Sequence, residues 1–126
     1  MKKSSMWLYV GTLLAIAVSN PTIARAHSFP EKENPSAGQK VASSPSEVVI
    51  KFDAPIEKLF AKLEVTDADG TNQAAGAPQI TDDGIRMSVK VPALKPGDYT
   101  VKWAVVGIDT HHTNGSYVFT VANGGS

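Results

Sequence analysis

Two stretches, IRMSVKV (Ile85–Val91) and YTVKWAV (Tyr99–Val105), carry an apolar side chain at every second position: Ile85, Met87, Val89 and Val91 in one, Tyr99, Val101, Trp103 and Val105 in the other. A period of two sends those side chains to one face of an extended backbone and the polar ones to the opposite face, so both stretches are half-buried strands. Lys95-Pro96-Gly97-Asp98 between them is a sharp turn. Glu47–Phe52 (EVVIKF) and Ala61–Thr66 (AKLEVT, with Leu63 and Val65 on one face) read the same way, Ala68-Asp69-Gly70-Thr71 is a turn, and Ser116–Val121 (SYVFTV) closes the series. Helical periodicity of useful length is absent, although Ile56–Lys62 has room for a turn or two of helix. Short strands separated by Gly, Pro, Asp and Asn clusters predict an all-β fold, an antiparallel Greek-key barrel or sandwich of the immunoglobulin-like kind.

The amino-terminal segment follows different rules. Lys2 and Lys3 precede the apolar run Trp7–Val18, Asn20-Pro21 breaks it, and Ala24-x-Ala26 supplies small residues at the positions a signal peptidase reads. The run of twelve falls short of the roughly 18–20 residues that span a bilayer. Residues 1–26 are therefore expected to be a secretory signal peptide, 27–122 a single β domain that does not span the membrane once mature, and 123–126 a flexible tail. The cut leaves His27 as the first residue.

The leader takes three of the twelve basic residues and none of the twelve acidic ones, so the mature chain holds nine basic against twelve acidic residues, a formal charge of −3. That balance argues against nucleic acid as a partner, since gripping phosphates takes a basic stripe. With no cysteine anywhere, disulfides, thiolate metal sites and lipidation at an amino-terminal cysteine are all excluded. No nucleophile elbow, phosphate loop, HExxH helix or paired-carboxylate signature stands in the chain.

What remains is histidine. One of the three opens the mature chain and two lie in Ile108-Asp109-Thr110-His111-His112, between two strands. Alternation along an extended backbone would bring Asp109 and His111 to one face and send His112 to the other. A terminal histidine offers its α-amine and its imidazole together; with an imidazole from His111 and a carboxylate oxygen from Asp109, the set is three nitrogens and one oxygen. Arranged tetragonally that set suits Cu(II), and a tetrahedral arrangement would take zinc. Plainer readings stand beside it: Asp109 as the cap of a turn, with Thr113-Asn114-Gly115 as turn chemistry in its own right, His112 as a solvated side chain, and Met87 and Trp103 as core.

These residues resemble the CopC-type periplasmic copper-binding proteins. The likeness runs through His27, Pro35-Ser36-Ala37-Gly38, the stretch Val49–Glu57, Pro96–Trp103, and Asp109-Thr110-His111 followed by Asn114–Phe119. It implies a small exported β-barrel of cupredoxin-like topology, Cu(II) held by His27, Asp109 and His111, a role in copper homeostasis and resistance without catalytic turnover, a periplasmic location, and an inner-membrane copper transporter as the partner for delivery. Three departures qualify it. Met87 is the one methionine left after the leader, so no methionine-built Cu(I) site is expected; Ala54, with Asp53 beside it, stands where many members have glutamate; and Phe29 rules out the amino-terminal motif that needs histidine third. The rival readings are a copper-dependent oxidative enzyme built on an amino-terminal histidine, like the lytic polysaccharide monooxygenases, and a metal-free immunoglobulin-like interaction domain.

Overall fold

The computed structural model describes residues 28–123, a domain of eight strands: β1 (Pro30–Asn34), β2 (Lys40–Val41), β3 (Glu47–Phe52), β4 (Lys62–Thr66), β5 (Ala75–Ile80), β6 (Arg86–Lys90), β7 (Gly97–Val106) and β8 (His112–Val121). The expected leader, His27 and the last three residues of the expected tail lie outside the described residues. The strands form two four-stranded sheets, ordered β1-β3-β6-β5 and β2-β8-β7-β4. Only β5–β6 and β7–β8 are hairpins within a sheet; every other connection crosses from one sheet to the other, which makes the domain a β-sandwich. All pairs are antiparallel except β2 with β8, where Lys40 and Val41 run parallel to Thr120 and Val121.

The alternation determines which faces meet. Val48, Ile50 and Phe52 of β3 and Met87 and Val89 of β6 point inward from one sheet, against Leu63 and Val65 of β4, Tyr99, Val101, Trp103 and Val105 of β7, and Tyr117, Phe119 and Val121 of β8. Phe52 meets Trp103 edge to face across the sandwich, ring centroids 5.6 Å apart, and Tyr99 stacks on Phe119 at the same separation. The Tyr99 hydroxyl donates to the carbonyl of Lys95, 2.6 Å away, fastening the turn that opens β7.

Three strands carry weak signals in the sequence: β1 (PEKEN), β2 and β5 (AGAPQI) bury little. Two local expectations are overturned. Ile56–Lys62 forms no helix; Ile56 is held in an isolated bridge to Gly107 and its side chain enters the core. Thr113-Asn114-Gly115 is not a turn but part of β8, which starts four residues earlier than its apolar pattern suggested, because β7 is long enough to pair as far as Val106↔His112. Gly115 lies opposite Trp103, and a Cβ there would come within 2.7 Å of the indole. The glycine makes room for the ring.

Candidate metal centre

One end of the sandwich gathers the start of β1, the loop after β3, the turn before β6 and the β7–β8 loop. The β7–β8 loop is closed by two backbone hydrogen bonds, Gly107 N–H to His111 O (2.9 Å) and Thr110 N–H to Gly107 O (2.8 Å). Thr110 accordingly adopts φ +73°, a left-handed conformation that is unfavourable for a β-branched residue by about 1–2 kcal/mol. This strained residue stands between the two candidate ligands, where over-determined backbone is often functional.

Asp109 and His111 do come together, but by the turn and not by strand alternation. Asp109 Oδ1 accepts the His111 N–H at 3.1 Å, and Oδ2 lies 3.0 Å from His111 Nδ1. Turn capping and side-chain convergence are thus both satisfied by one carboxylate. Two donors about 2.0–2.2 Å from one ion and at right angles to each other stand roughly 2.8–3.1 Å apart, so a pair 3.0 Å apart is already spaced as neighbouring ligands. The same spacing suits a carboxylate that orients the imidazole through Nδ1. His111 is more than half exposed, and the Asp109 side chain is more sheltered. His112 begins β8 opposite Val106 and is exposed beside Phe60 and Lys62, apart from this pairing.

The segment that leads to His27 is anchored at this loop. Ser28 is 1% exposed; its Oγ donates to the Pro55 carbonyl (3.0 Å), and its own carbonyl accepts from Thr113 Oγ1 (2.8 Å). Phe29 and Asp53 are joined twice, Phe29 N–H to Asp53 Oδ1 at 2.8 Å and Asp53 N–H to Phe29 O at 2.9 Å. Gly107 has Asp109 Oδ1 and Ser28 Oγ on one side of its Cα, where an added Cβ would lie 2.7 and 3.0 Å from them. Sequence reasoning missed Ser28, Thr113 and Gly107. The available signal was a glycine at the end of a long alternating strand, which often marks close approach of another group. Among the described residues no three His, Asp or Glu side chains converge as a metal-binding group; the third candidate, His27, lies outside them.

Around these loops lie Phe29, Leu59, Phe60 and Ile108, four of the five large apolar side chains exposed among the described residues. Ile108 precedes Asp109 directly, and Phe29 follows Ser28. The end that holds the polar pair is therefore also the apolar end of the surface.

The fold and site together define a small β-sandwich domain with one nitrogen and one oxygen donor side by side at one end, next to an anchored amino-terminal segment. The chain belongs to the CopC family: the CopC domain model matches residues 30–122. Protein YobA of Escherichia coli K12 is 30% identical over 115 residues, covering 90% of this chain and 92% of its own. The copper transport protein CutJ of Bacillus subtilis is 30% identical over 129 residues, 99% of this chain but 23% of its own length, so there the matching region is one part of a longer protein. Among solved structures, CopC from Methylosinus trichosporium OB3b has a TM-score of 0.72 at 31% identity over 76% of this chain and 94% of its own, and the methionine-rich copper resistance protein PcoC of Escherichia coli has 0.67 at 26% over 76% and 99%. The family is one of copper-binding resistance proteins and not of enzymes, and copper is the ion that the Asp109–His111 pair is to be judged against.

Proposed function

We propose that the chain is exported, is processed to begin at His27 and holds one Cu(II) ion in the periplasm through the His27 α-amine and imidazole, Asp109 and His111, buffering copper or carrying it to a membrane transporter. The observation that carries this reading is the anchoring of Ser28, buried and fastened to Pro55 in the loop after β3 and to Thr113 of β8, two residues past His111. Chain connectivity alone keeps the Cα of residue 27 about 3.8 Å from that of Ser28. An amine and an imidazole on that one residue add two nitrogen donors to the nitrogen and oxygen of the pair, and nitrogen-rich sets select Cu(II) among first-row divalent ions. Softer sulfur donors, which would favour Cu(I), are not in reach: Met87 is fully buried in the core.

Delivery has its own support. Phe29, Leu59, Phe60 and Ile108 are exposed on segments that form this same end, and exposed apolar surface, where it is contiguous, commonly marks a contact surface. In CutJ, named for copper transport, the part that matches this chain is covalently joined to a much longer remainder. Among the described residues no helix is long and apolar enough to cross a membrane.

The test is a Cu(II) titration of the protein beginning at His27, followed by electron paramagnetic resonance. One tight equivalent with nitrogen couplings, lost in His111→Ala, is the expected result. A second, equally tight Cu(I) equivalent under reducing conditions, or binding unchanged by His111→Ala, would contradict it.

A further inference from the structure

Ser28 and Thr113 are the two buried polar residues among those described, and they bond to each other although 85 positions apart in the chain. Buried polar groups are retained where their partners are complete, and here the bonds all run between the amino-terminal segment and the loops of the candidate site. Thr113 is the second residue of β8, two after His111, and its hydroxyl holds the Ser28 carbonyl. The Ser28 hydroxyl holds the loop after β3 at Pro55, and Asp53 of the same loop holds Phe29 through both a side-chain and a backbone bond. Gly107 supplies the space: with any Cβ at that position, Ser28 Oγ and Asp109 Oδ1 could not keep their present places. Strand β1 gains little from these bonds, since it starts only at Pro30 and shifts register between Pro30 and Lys32.

We infer that Ser28, Thr113, Asp53 and Gly107 form a latch that positions the residue ahead of Ser28 at the Asp109–His111 pair, and that the latch fixes how many residues can precede Ser28 in a copper-competent chain: one. This rests on the copper reading above, because it gives the latch its purpose. None of the four is a copper ligand; each is a positioning residue that acts through the backbone of Ser28. The bonds of the latch run between protein atoms alone, and pre-organisation of this kind raises affinity by reducing the ordering that binding must supply. It also makes the register of leader cleavage a determinant of binding: a cut one residue earlier or later would leave the latch closed and move the terminal amine away from its place.

The experiment is a double-mutant cycle on the protein beginning at His27, read by Cu(II) competition titration and by electron paramagnetic resonance. Thr113→Val keeps the shape and removes the donor; it should weaken Cu(II) by about tenfold or more, equivalent to about 1.4 kcal/mol, and broaden the resonance into more than one species. Thr113→Ser, which keeps the hydroxyl, should stay within about twofold of the parent. In a His27→Ala background with an acetylated amino terminus, Thr113→Val should change affinity by less than about twofold, because both donors being positioned, the imidazole and the α-amine, are gone. Circular dichroism of each apo protein shows whether it folds, and Gly107→Ala is the second perturbation should Thr113→Val fail to fold, with the same non-additive pattern expected. Equal weakening by Thr113→Val in both backgrounds would make Thr113 a general structural residue, and no weakening in either would remove the latch. If His27→Ala alone leaves affinity unchanged, the copper reading falls and takes the latch with it; if His27→Ala weakens binding and Thr113→Val does not, the latch alone falls.

Discussion

Replacing Gly115 with alanine puts two opposing effects on one residue. Gly115 pairs with Trp103 in the middle of the β7–β8 ladder and is not among the glycines with positive φ, so alanine meets no backbone obstacle. In a strand, exchanging glycine for alanine is ordinarily stabilising by about 0.5–1 kcal/mol through the unfolded chain's entropy. Against that, the new Cβ would stand 2.7 Å from Trp103 Cζ2, 2.9 Å from Cε2 and 3.0 Å from Nε1. The indole would have to move, and it is hemmed in by Phe52 across the sandwich. Overpacking costs about 1–3 kcal/mol, and a 2.7 Å contact on a ring with no room to retreat belongs in the upper part of that range, so the net change is a loss of about 1–2 kcal/mol. For a domain of this size each kcal/mol lowers Tm by about 4–8 °C, so a fall of roughly 5–15 °C is expected. Thermal unfolding followed by circular dichroism measures it. Trp103 is the only tryptophan among the described residues, so in the protein that begins at His27 the fluorescence should shift to longer wavelength if the ring is displaced. An unchanged or higher Tm would show that Gly115 is not there to accommodate Trp103.

Tyr117 is buried with a hydroxyl that has no hydrogen-bond partner among the described residues, so Tyr117→Phe should stabilise by about 1–2 kcal/mol in chemical denaturation. Burial, reinforced by the Glu33 charge, also raises this hydroxyl's pKa above the ordinary tyrosine value; the folded state then loses stability as pH climbs past about 10, where the unfolded chain ionises first. Tyr117→Phe should flatten that alkaline loss. At the acid end, the Thr71 backbone N–H and then the Gln73 amide hold the Asp67 carboxyl below its usual value, so its contribution is complete above about pH 4 and disappears as pH falls through the lowered value. Asp67→Ala should therefore lower Tm near neutrality and reduce the further fall below about pH 4, and equal pH slopes in the two proteins would contradict the assignment.

How much of this was legible in the sequence depended on which residues carried the signal. Strands β3, β4, β6 and β7 stood out because their inward positions are large and apolar at a period of two. Edge strands β1 and β5 did not, because PEKEN and AGAPQI bury little and their pairing is a property of the backbone. Asp109 and His111 were legible by residue type, and their convergence was correctly expected for an incorrect reason: Thr110 in the left-handed region turns the chain, where alternation had assumed it extended. Asp53 drew attention in the sequence only as the neighbour of Ala54, and its carboxylate secures the Phe29 N–H. Ser28 and Thr113 left no trace in the sequence, because a bond across 85 positions follows from the fold and from no local pattern.

The central claim is that the chain binds Cu(II) through the free amine of His27 together with the Asp109–His111 pair. It is tested most directly by adding one alanine ahead of His27 and measuring Cu(II) affinity beside the protein that begins at His27. The extension turns the amine into an amide, whose lone pair is delocalised into the carbonyl, while the imidazoles and the Asp109 carboxylate are retained. The account predicts a loss of about a hundredfold or more, equivalent to about 2.7 kcal/mol, with an unchanged circular dichroism spectrum. Equal affinity for the two proteins would contradict it and leave His27 an ordinary first residue.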